Sequence, residues 1–470
     1  MRVLLGTLLS GIMFYLSQGL ADVWALAWFA PAPILWLAYG DTPRWQVLLA
    51  SLAAFAAGQI YVVQCYWGRI PSSIIAPLVF GLCVAFAIAV LFAGEAFRRD
   101  STWVALVAFP AFWTALEYGI DLVSPHGSYG ALGYAEVSFP AGIQVAALFG
   151  VYAVTFLLCL SANAVALLLR RRWMPGGTGV AVCAAVLVFG FLRLAAPVGP
   201  RVSVAALSDA DSRNLEHREH TLASEEAAAE SYASYLGQLT SVRVVAIPEG
   251  AIGMQVREQN AVLAPLAAAA KAHHALVLVG TFTPVPVQNR AFAFLPDGMV
   301  ETYAKRHPLL PFETEVPGRE PGLLGGAYAT QICKDMDFPH SVRETAAHGV
   351  RLMIVPADDF GRDGWIHARM AIMRGVENGF AVLRSAFDGL ETVSDAQGRI
   401  LARASTERAG MVAVSADVPL GPGPTPYTRM GDVFPWLCAA LSLLLCASPV
   451  WRRAKAPTAR HSRPSIGAAD

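Results

Sequence analysis

Charge is scarce in this chain. Asp, Glu, Lys and Arg together make 15% of its 470 residues, against roughly 25% in ordinary globular domains. Hydrophobic residues make 55%, and the mean hydropathy is +0.47. That balance excludes a wholly soluble protein of this length. It also excludes a disordered one, which needs low hydrophobicity and high net charge. The 35 basic residues are cancelled by 35 acidic ones, so no basic field is on offer to nucleic acid. Seven Cys in so long a chain rule out a disulfide-built scaffold. No Cys/His cluster has metal-ligand spacing: His217 and His220 read as a solvated helix face, and His273 and His274 merely stand side by side. No glycine-rich phosphate loop follows a strand, so no metal and no nucleotide cofactor is implied. What remains is a membrane protein with a polar part.

The two parts separate along the sequence. Residues 1–198 are long apolar runs with short polar punctuation, predicting about seven spans near 3–20, 22–40, 46–66, 73–97, 103–120, 140–169 and 178–197. Each approaches the roughly 20 residues that cross a hydrocarbon core. The 140–169 run exceeds that need, which places its first turns at the interface. A final span is predicted in 430–451, around "DVFPWLCAALSLLLCASPVW". Arg2, Arg44, Arg98 with Arg99, and Arg170 to Arg172 fall in alternate connections, with Arg69 the exception. The tail 452–470 adds Arg452, Arg453, Lys455, Arg460 and Arg463, a basic stub suited to anionic headgroups. The positive-inside rule then puts the amino terminus and the tail in the cytoplasm. The polar region between the last two spans faces the other side, which in a bacterium is the periplasm.

Residues 199–425 have the texture of a separate α/β domain. "RVSVAAL", "VRVVAIPEG", "ALVLVGTF", "AYATQIC" and "RLMIVPA" read as buried strands. Helical patterns lie between several of them, as in "NAVLAPLAAAAKAHHA" and "WIHARMAIMRGVENG", which argues for sheets covered by helices. In "NRAFAFLPDGMVETYAKRH" two alternating runs flank a Pro-Asp-Gly turn, a hairpin signal.

Three strand ends each deliver one reactive side chain. Glu249 follows "VVAIP", Lys305 ends the hairpin, and Cys333 ends "AYATQIC" and precedes Lys334 and Asp335. Six of the seven Cys lie in or beside predicted spans, where Cys is a small hydrophobe; Cys333 alone lies in the polar domain. Lysine is scarcer than Arg throughout, so a Lys kept at 305 points to a compact, titratable ammonium. Singly, each residue has a bland reading: a surface turn, a solvated hairpin end, an inert thiol. Together they suit acyl transfer through a thioester. A carboxylate takes the thiol proton, and an ammonium with a backbone N–H, that of Lys334, stabilises the oxyanion.

The order Glu, Lys, Cys in the contexts "IPEG", "YAKRH" with "LLPFE", and "ICKDMDFP" resembles the nitrilase, or carbon–nitrogen hydrolase, superfamily. The domain's place between seven spans and an eighth is similar to its membrane branch, the bacterial apolipoprotein N-acyltransferases. Trp113, Glu117, "LGYAE", Gln144, Gly150 and Asn163 fit that pattern too. The resemblance implies a multi-pass helical membrane domain joined to an αββα four-layer sandwich. It implies a Glu249–Lys305–Cys333 triad, supported by Asp335 and by a further glutamate, Glu313 or Glu315 of "PFETE", with Glu313 favoured. It also implies a phospholipid acyl donor, a diacylated lipoprotein acceptor, and an inner-membrane enzyme working as a monomer with its catalytic domain in the periplasm. The chain departs from the pattern where Lys334 replaces an aromatic residue, Asp359 stands in place of Trp, and Phe387 in place of Asn. Two rivals share the same residues: a membrane-anchored nitrilase-type amidase or carbon–nitrogen hydrolase, in which a different acceptor or water resolves the acyl-enzyme, and a non-catalytic scaffold.

Overall fold

Apolar runs of this length have one solution in a bilayer, the helix, because no water is present to satisfy open backbone groups. The computed structural model describes residues 1–447 apart from 100, 198, 211–220, 240 and 408–409. The tail 452–470, the end of the last predicted span, and His217 and His220 lie outside the described residues. Among the described residues five helices are long and apolar enough to cross a membrane: Arg44–Tyr66, Ser72–Arg98, Thr102–Val123, Val151–Leu169 and Trp173–Leu194. Arg2–Gln18, with 17 residues, and the described part of the last helix, Val433–Ala447, pack with them.

Two apolar runs are not continuous helices. Over 22–40 the chain makes a short 3-10 turn at Trp24–Leu26 and a seven-residue helix at Ala32–Ala38. Pro31 and Pro33 permit a helix to start there but not to pass through, and seven residues at 1.5 Å rise span only about 10 Å. Over 140–169 two four-residue helices, Pro140–Ile143 and Ala146–Phe149, precede Val151–Leu169. The break falls at Gly150, whose φ of +77° suits glycine and whose missing Cβ leaves room for the Tyr427 ring.

Among the described residues the polar domain holds eleven strands in two sheets. β1 (Arg201–Asp209), β2 (Val244–Gly253), β3 (Leu276–Pro284), β4 (Val287–Phe294) and β5 (Val300–Ala304) come first. β6 (Tyr328–Thr330), β7 (Leu352–Asp358), β8 (Ala381–Phe387), β9 (Leu390–Ser394), β10 (Ile400–Ser405) and β11 (Met411–Pro419) follow. One sheet runs β11-β1-β2-β3-β4-β5 and the other β10-β9-β8-β7-β6. In the first, parallel β1–β3 have antiparallel strands on both sides; in the second, parallel β6–β8 continue into antiparallel β9 and β10 on one side, and β6 is the edge. Val204, Val244, Leu278, Ile354 and Leu383 fill the space between the sheets. Helices Leu222–Leu236 and Gln259–Ala272 cover the first sheet through Ala229, Tyr232, Val262 and Leu266. Helices Pro339–Ala346 and Gly364–Asn378 cover the second through Val342, Ala346 and Ala371. The result is four layers, αββα.

Helix Gly364–Asn378 has a second buried face. Met370, Ile372, Met373 and Val376 join one continuous core with Leu132, Tyr134 and Ile143 of the membrane part. Polar bonds pin the same joint. Arg369 donates to the Gln18 carbonyl and Arg374 to the Tyr134 hydroxyl, both at 2.5 Å. Glu377, 2.9 Å from Arg374, accepts the Val151 N–H at 2.7 Å.

Candidate active site

Glu249 stands where β2 slips register against β3, between Ile247 and Ile252. Such a bulge re-aims a side chain, and Gly250 at φ +62° makes it possible. Gly280 on β3 lies flat against this backbone, where a Cβ would collide with Pro248 and Glu249. Lys305 follows β5, and its N–H bonds the Asn289 carbonyl at 3.0 Å. Cys333 opens the 3-10 turn Cys333–Asp337 beyond β6 with a φ of +43°. That region is costly for any residue but glycine, and such strain clusters at functional sites.

The three side chains line one cavity of about 500 Å³. Lys305 Nζ donates at 2.7 Å to Glu249 Oε1 and at 2.7 Å to Glu313 Oε1. Glu313 in turn accepts the Leu309 N–H at 2.7 Å, which folds its loop over the lysine. Glu315 also lines the cavity and is buried, but Glu313 is the carboxylate bonded to Lys305. Asn289 Nδ2 donates to Glu249 Oε1 at 2.6 Å; as one more position of an alternating hairpin strand, it had no local signal in the sequence.

Burial, reinforced by Glu249, pushes the Cys333 thiol well above its ordinary range, with Lys305 opposing. Cys333 is therefore held as a thiol, and any nucleophilic use of it would need a base. Burial also raises Glu249, against the pull of Lys305, and a raised carboxylate is a better proton acceptor. Burial alone would lower Lys305, but Glu249 and Glu313 outweigh it and hold the ammonium protonated. A thiol, a carboxylate and an ammonium on one cavity wall are groups that acyl transfer uses.

Asp335 does not line the cavity. Fully buried, it accepts the N–H groups of Ile332, Arg306 and His307 and the Tyr303 hydroxyl at 2.7–3.1 Å, so it ties the nucleophile turn to the lysine loop. Asp359, at the cavity wall, is chelated by Arg384. Phe387 is buried in the core under the first sheet's helices.

The Lys334 side chain reaches into the cavity and meets His126 Nδ1 at 3.0 Å and Asp337 at 3.7 Å. His126 belongs to the loop after Thr102–Val123, so the membrane part completes the wall, with Val62, Tyr66, Ile70, Ile74, Ile75 and Leu78. His126 escaped the sequence reading, although a histidine between two spans on the catalytic side was its trace. Trp113, Glu117, Gln144 and Asn163 are buried inside the membrane part: Glu117 accepts the Leu132 N–H at 2.9 Å, and Asn163 donates to the Ala105 and Leu106 carbonyls.

Residues 10–165 match the family model of the apolipoprotein N-acyltransferase N-terminal domain, and residues 204–421 that of the carbon-nitrogen hydrolases. The chain is 26% identical to the apolipoprotein N-acyltransferase of Geobacter metallireducens, over 95% of each chain. It is 24% identical to that of Vibrio cholerae, over 95% of this chain and 96% of the relative. Among solved structures an amidase from Nesterenkonia sp. is similar at 20% identity and a TM-score of 0.42, over 51% of this chain and 97% of its own.

Proposed function

Because the chain belongs to the apolipoprotein N-acyltransferase family, a membrane branch of the carbon–nitrogen hydrolases, we propose that it carries an acyl chain from a phospholipid to a lipoprotein. Cys333 takes the chain as a thioester, and the acceptor is the α-amino group of the lipoprotein's N-terminal diacylglyceryl-cysteine. Glu249 accepts the Cys333 proton as sulfur attacks the ester carbonyl. The carbon–oxygen bond then breaks, and Glu249 returns the proton to the departing lysophospholipid oxygen. In the second half the acceptor nitrogen attacks the thioester, Glu249 takes the ammonium proton, and the thiol is regenerated. Lys305 and the Lys334 amide hold the oxyanion in both halves, and Glu313 orients Lys305.

The observation that carries this reading is the composition of one cavity. Its polar end holds Cys333, Glu249 and Lys305, while membrane-helix residues Ile74, Ile75 and Leu78 form another part of its wall. A small soluble amide has no use for a wall of that kind; a lipid chain does.

Orientation is supported by the same geometry. Arg44, Arg98 and Arg170 gather at the end of the bundle away from the catalytic domain, where Arg44 meets Glu95 at 2.5 Å and Arg98 bonds the Thr42 carbonyl. A basic end marks the cytoplasm, so the catalytic domain faces the periplasm of a bacterial inner membrane.

The test is to incubate purified protein with phospholipid and a diacylated lipopeptide and to follow both products by mass spectrometry. N-acylated lipopeptide is expected. Free fatty acid without it would identify a hydrolase and overturn the transferase reading.

A further inference from the structure

Two charged clusters line the cavity. In one, Glu249 and Glu313 share a single ammonium, Lys305, with Glu315 beside them. Its carboxylates outnumber its cation, which suits a cationic amine. The other cluster holds His126, Lys334, Asp337 and His367. Asp337 is shared by two cations, Lys334 at 3.7 Å and His367 at 3.6 Å, and His367 is held on its other side by Asp363 at 3.3 Å.

Among the described residues lining the cavity, the cations differ in how far they are committed. Lys305 has two carboxylate oxygens at 2.7 Å. His367 lies between two aspartates. Lys334, whose side chain is 7% exposed, has no carboxylate within 3.5 Å, and its bonded partner is a neutral imidazole. Burial, with Lys334 adding to it, pushes His126 down to about 4, so Nδ1 accepts from the ammonium and the ring proton sits on Nε2. Burial lowers Lys334 too, with Asp337 opposing it from 3.7 Å, so an arriving anion would supply the closer counter-charge that favours the ammonium.

The geometry points to Lys334 as the residue that binds the phosphate of the acyl donor. This rests on the N-acyltransferase reading and deepens it. In a phospholipid the ester carbonyl and the phosphodiester are a few bonds apart on one glycerol. Cys333 and Lys334 are consecutive in the chain. With the carbonyl over Cys333, the phosphate meets Lys334 and the cationic acceptor is left the carboxylate cluster. It also gives a physical purpose to the lysine found where the superfamily pattern has an aromatic residue.

The experiment measures Cys333 thioester formation by mass spectrometry, in detergent, from two donors: phosphatidylethanolamine, and a phosphate-free diacylglycerol with the same chains. Native protein acylates faster from the phospholipid. Lys334→Met lowers the phospholipid-to-diacylglycerol rate ratio about tenfold or more, the worth of one charge-assisted bond, and Lys334→Arg restores most of it. If the ratio is unchanged and both rates fall together, Lys334 is only a bolt between the two parts, and the proposal fails. Should Lys334→Met not fold, the native protein decides: a dialkyl ether phospholipid must inhibit diacylglycerol-dependent acylation at least about tenfold more strongly than the matching dialkylglycerol. Equal inhibition overturns the anchor. Failure of the parent reading looks different, since native protein would then form no thioester from phospholipid at all.

Discussion

Lys305 is a buried ammonium with two carboxylates for company, and that arrangement fixes what its removal does. With Lys305→Met, Glu249 and Glu313 lose their shared counter-charge, and the proposed oxyanion loses one of its two donors. The rate of Cys333 acylation from phospholipid should fall on the order of 100- to 1000-fold, read as thioester formed per unit time. A loss smaller than tenfold would remove the lysine from the chemistry. Glu249, Lys305 and Cys333 were legible because each ends a run of recognisable strand or hairpin pattern in the sequence. The direction a side chain faces was not legible. Asp335 was expected to bind substrate or support the triad; its oxygens accept from Tyr303 and from three backbone N–H groups. Only the fold determines that, because Tyr303, Arg306 and His307 come from β5 and the loop after it, 28–32 residues earlier in the chain. Asn289 was invisible for the same reason: its bond to Glu249 crosses from β4 to β2.

At the scale of elements, composition told apart apolar runs and polar domain, but not whether a run is one helix. Residues 22–40 are apolar enough for a span, and two prolines and a turn break them. Gly150 does the same to 140–169, since hydropathy counts side chains and a left-handed backbone is set by packing against Tyr427. Helix Gly364–Asn378 was readable as a helix; its second face, against the membrane part, was not. That joint carries a titrating group. His367 lies 3.6 Å from Asp337 and 3.3 Å from Asp363, with the Tyr66 hydroxyl at 3.3 Å. Burial would lower it, but the two aspartates prevail and raise it from 6.5 to about 10. A folded pKa above the unfolded one stabilises the fold fully below about pH 6.5, and the contribution drains away toward about pH 10. Tm in detergent should therefore fall by several degrees between about pH 6 and about pH 9.5, and His367→Gln should flatten that decline. An equal slope in the variant would assign it to other groups.

At the scale of the molecule, the catalytic domain and the membrane part are not two bodies on a tether. Met370, Ile372, Met373 and Val376 of one belong to the same core as Leu132, Tyr134 and Ile143 of the other. Arg343, on helix Pro339–Ala346, reaches Asp432 at the start of the last helix at 2.7 Å, so that helix is joined to the domain as well. Excising residues 199–425 would expose those four apolar side chains, each worth roughly 1.5–3 kcal/mol of burial. It would also strip Arg369 and Arg374 of their membrane-part partners and leave both guanidinium groups to water. The excised domain should elute from size exclusion as aggregate unless detergent is present. It should form no Cys333 thioester from phospholipid vesicles even when detergent-solubilised and thiol-reactive, because the wall made by Ile74, Ile75 and Leu78 is gone. A monodisperse fragment, soluble without detergent and acylated at the rate of the full chain, would mean that the membrane part only tethers the domain and builds nothing in the site.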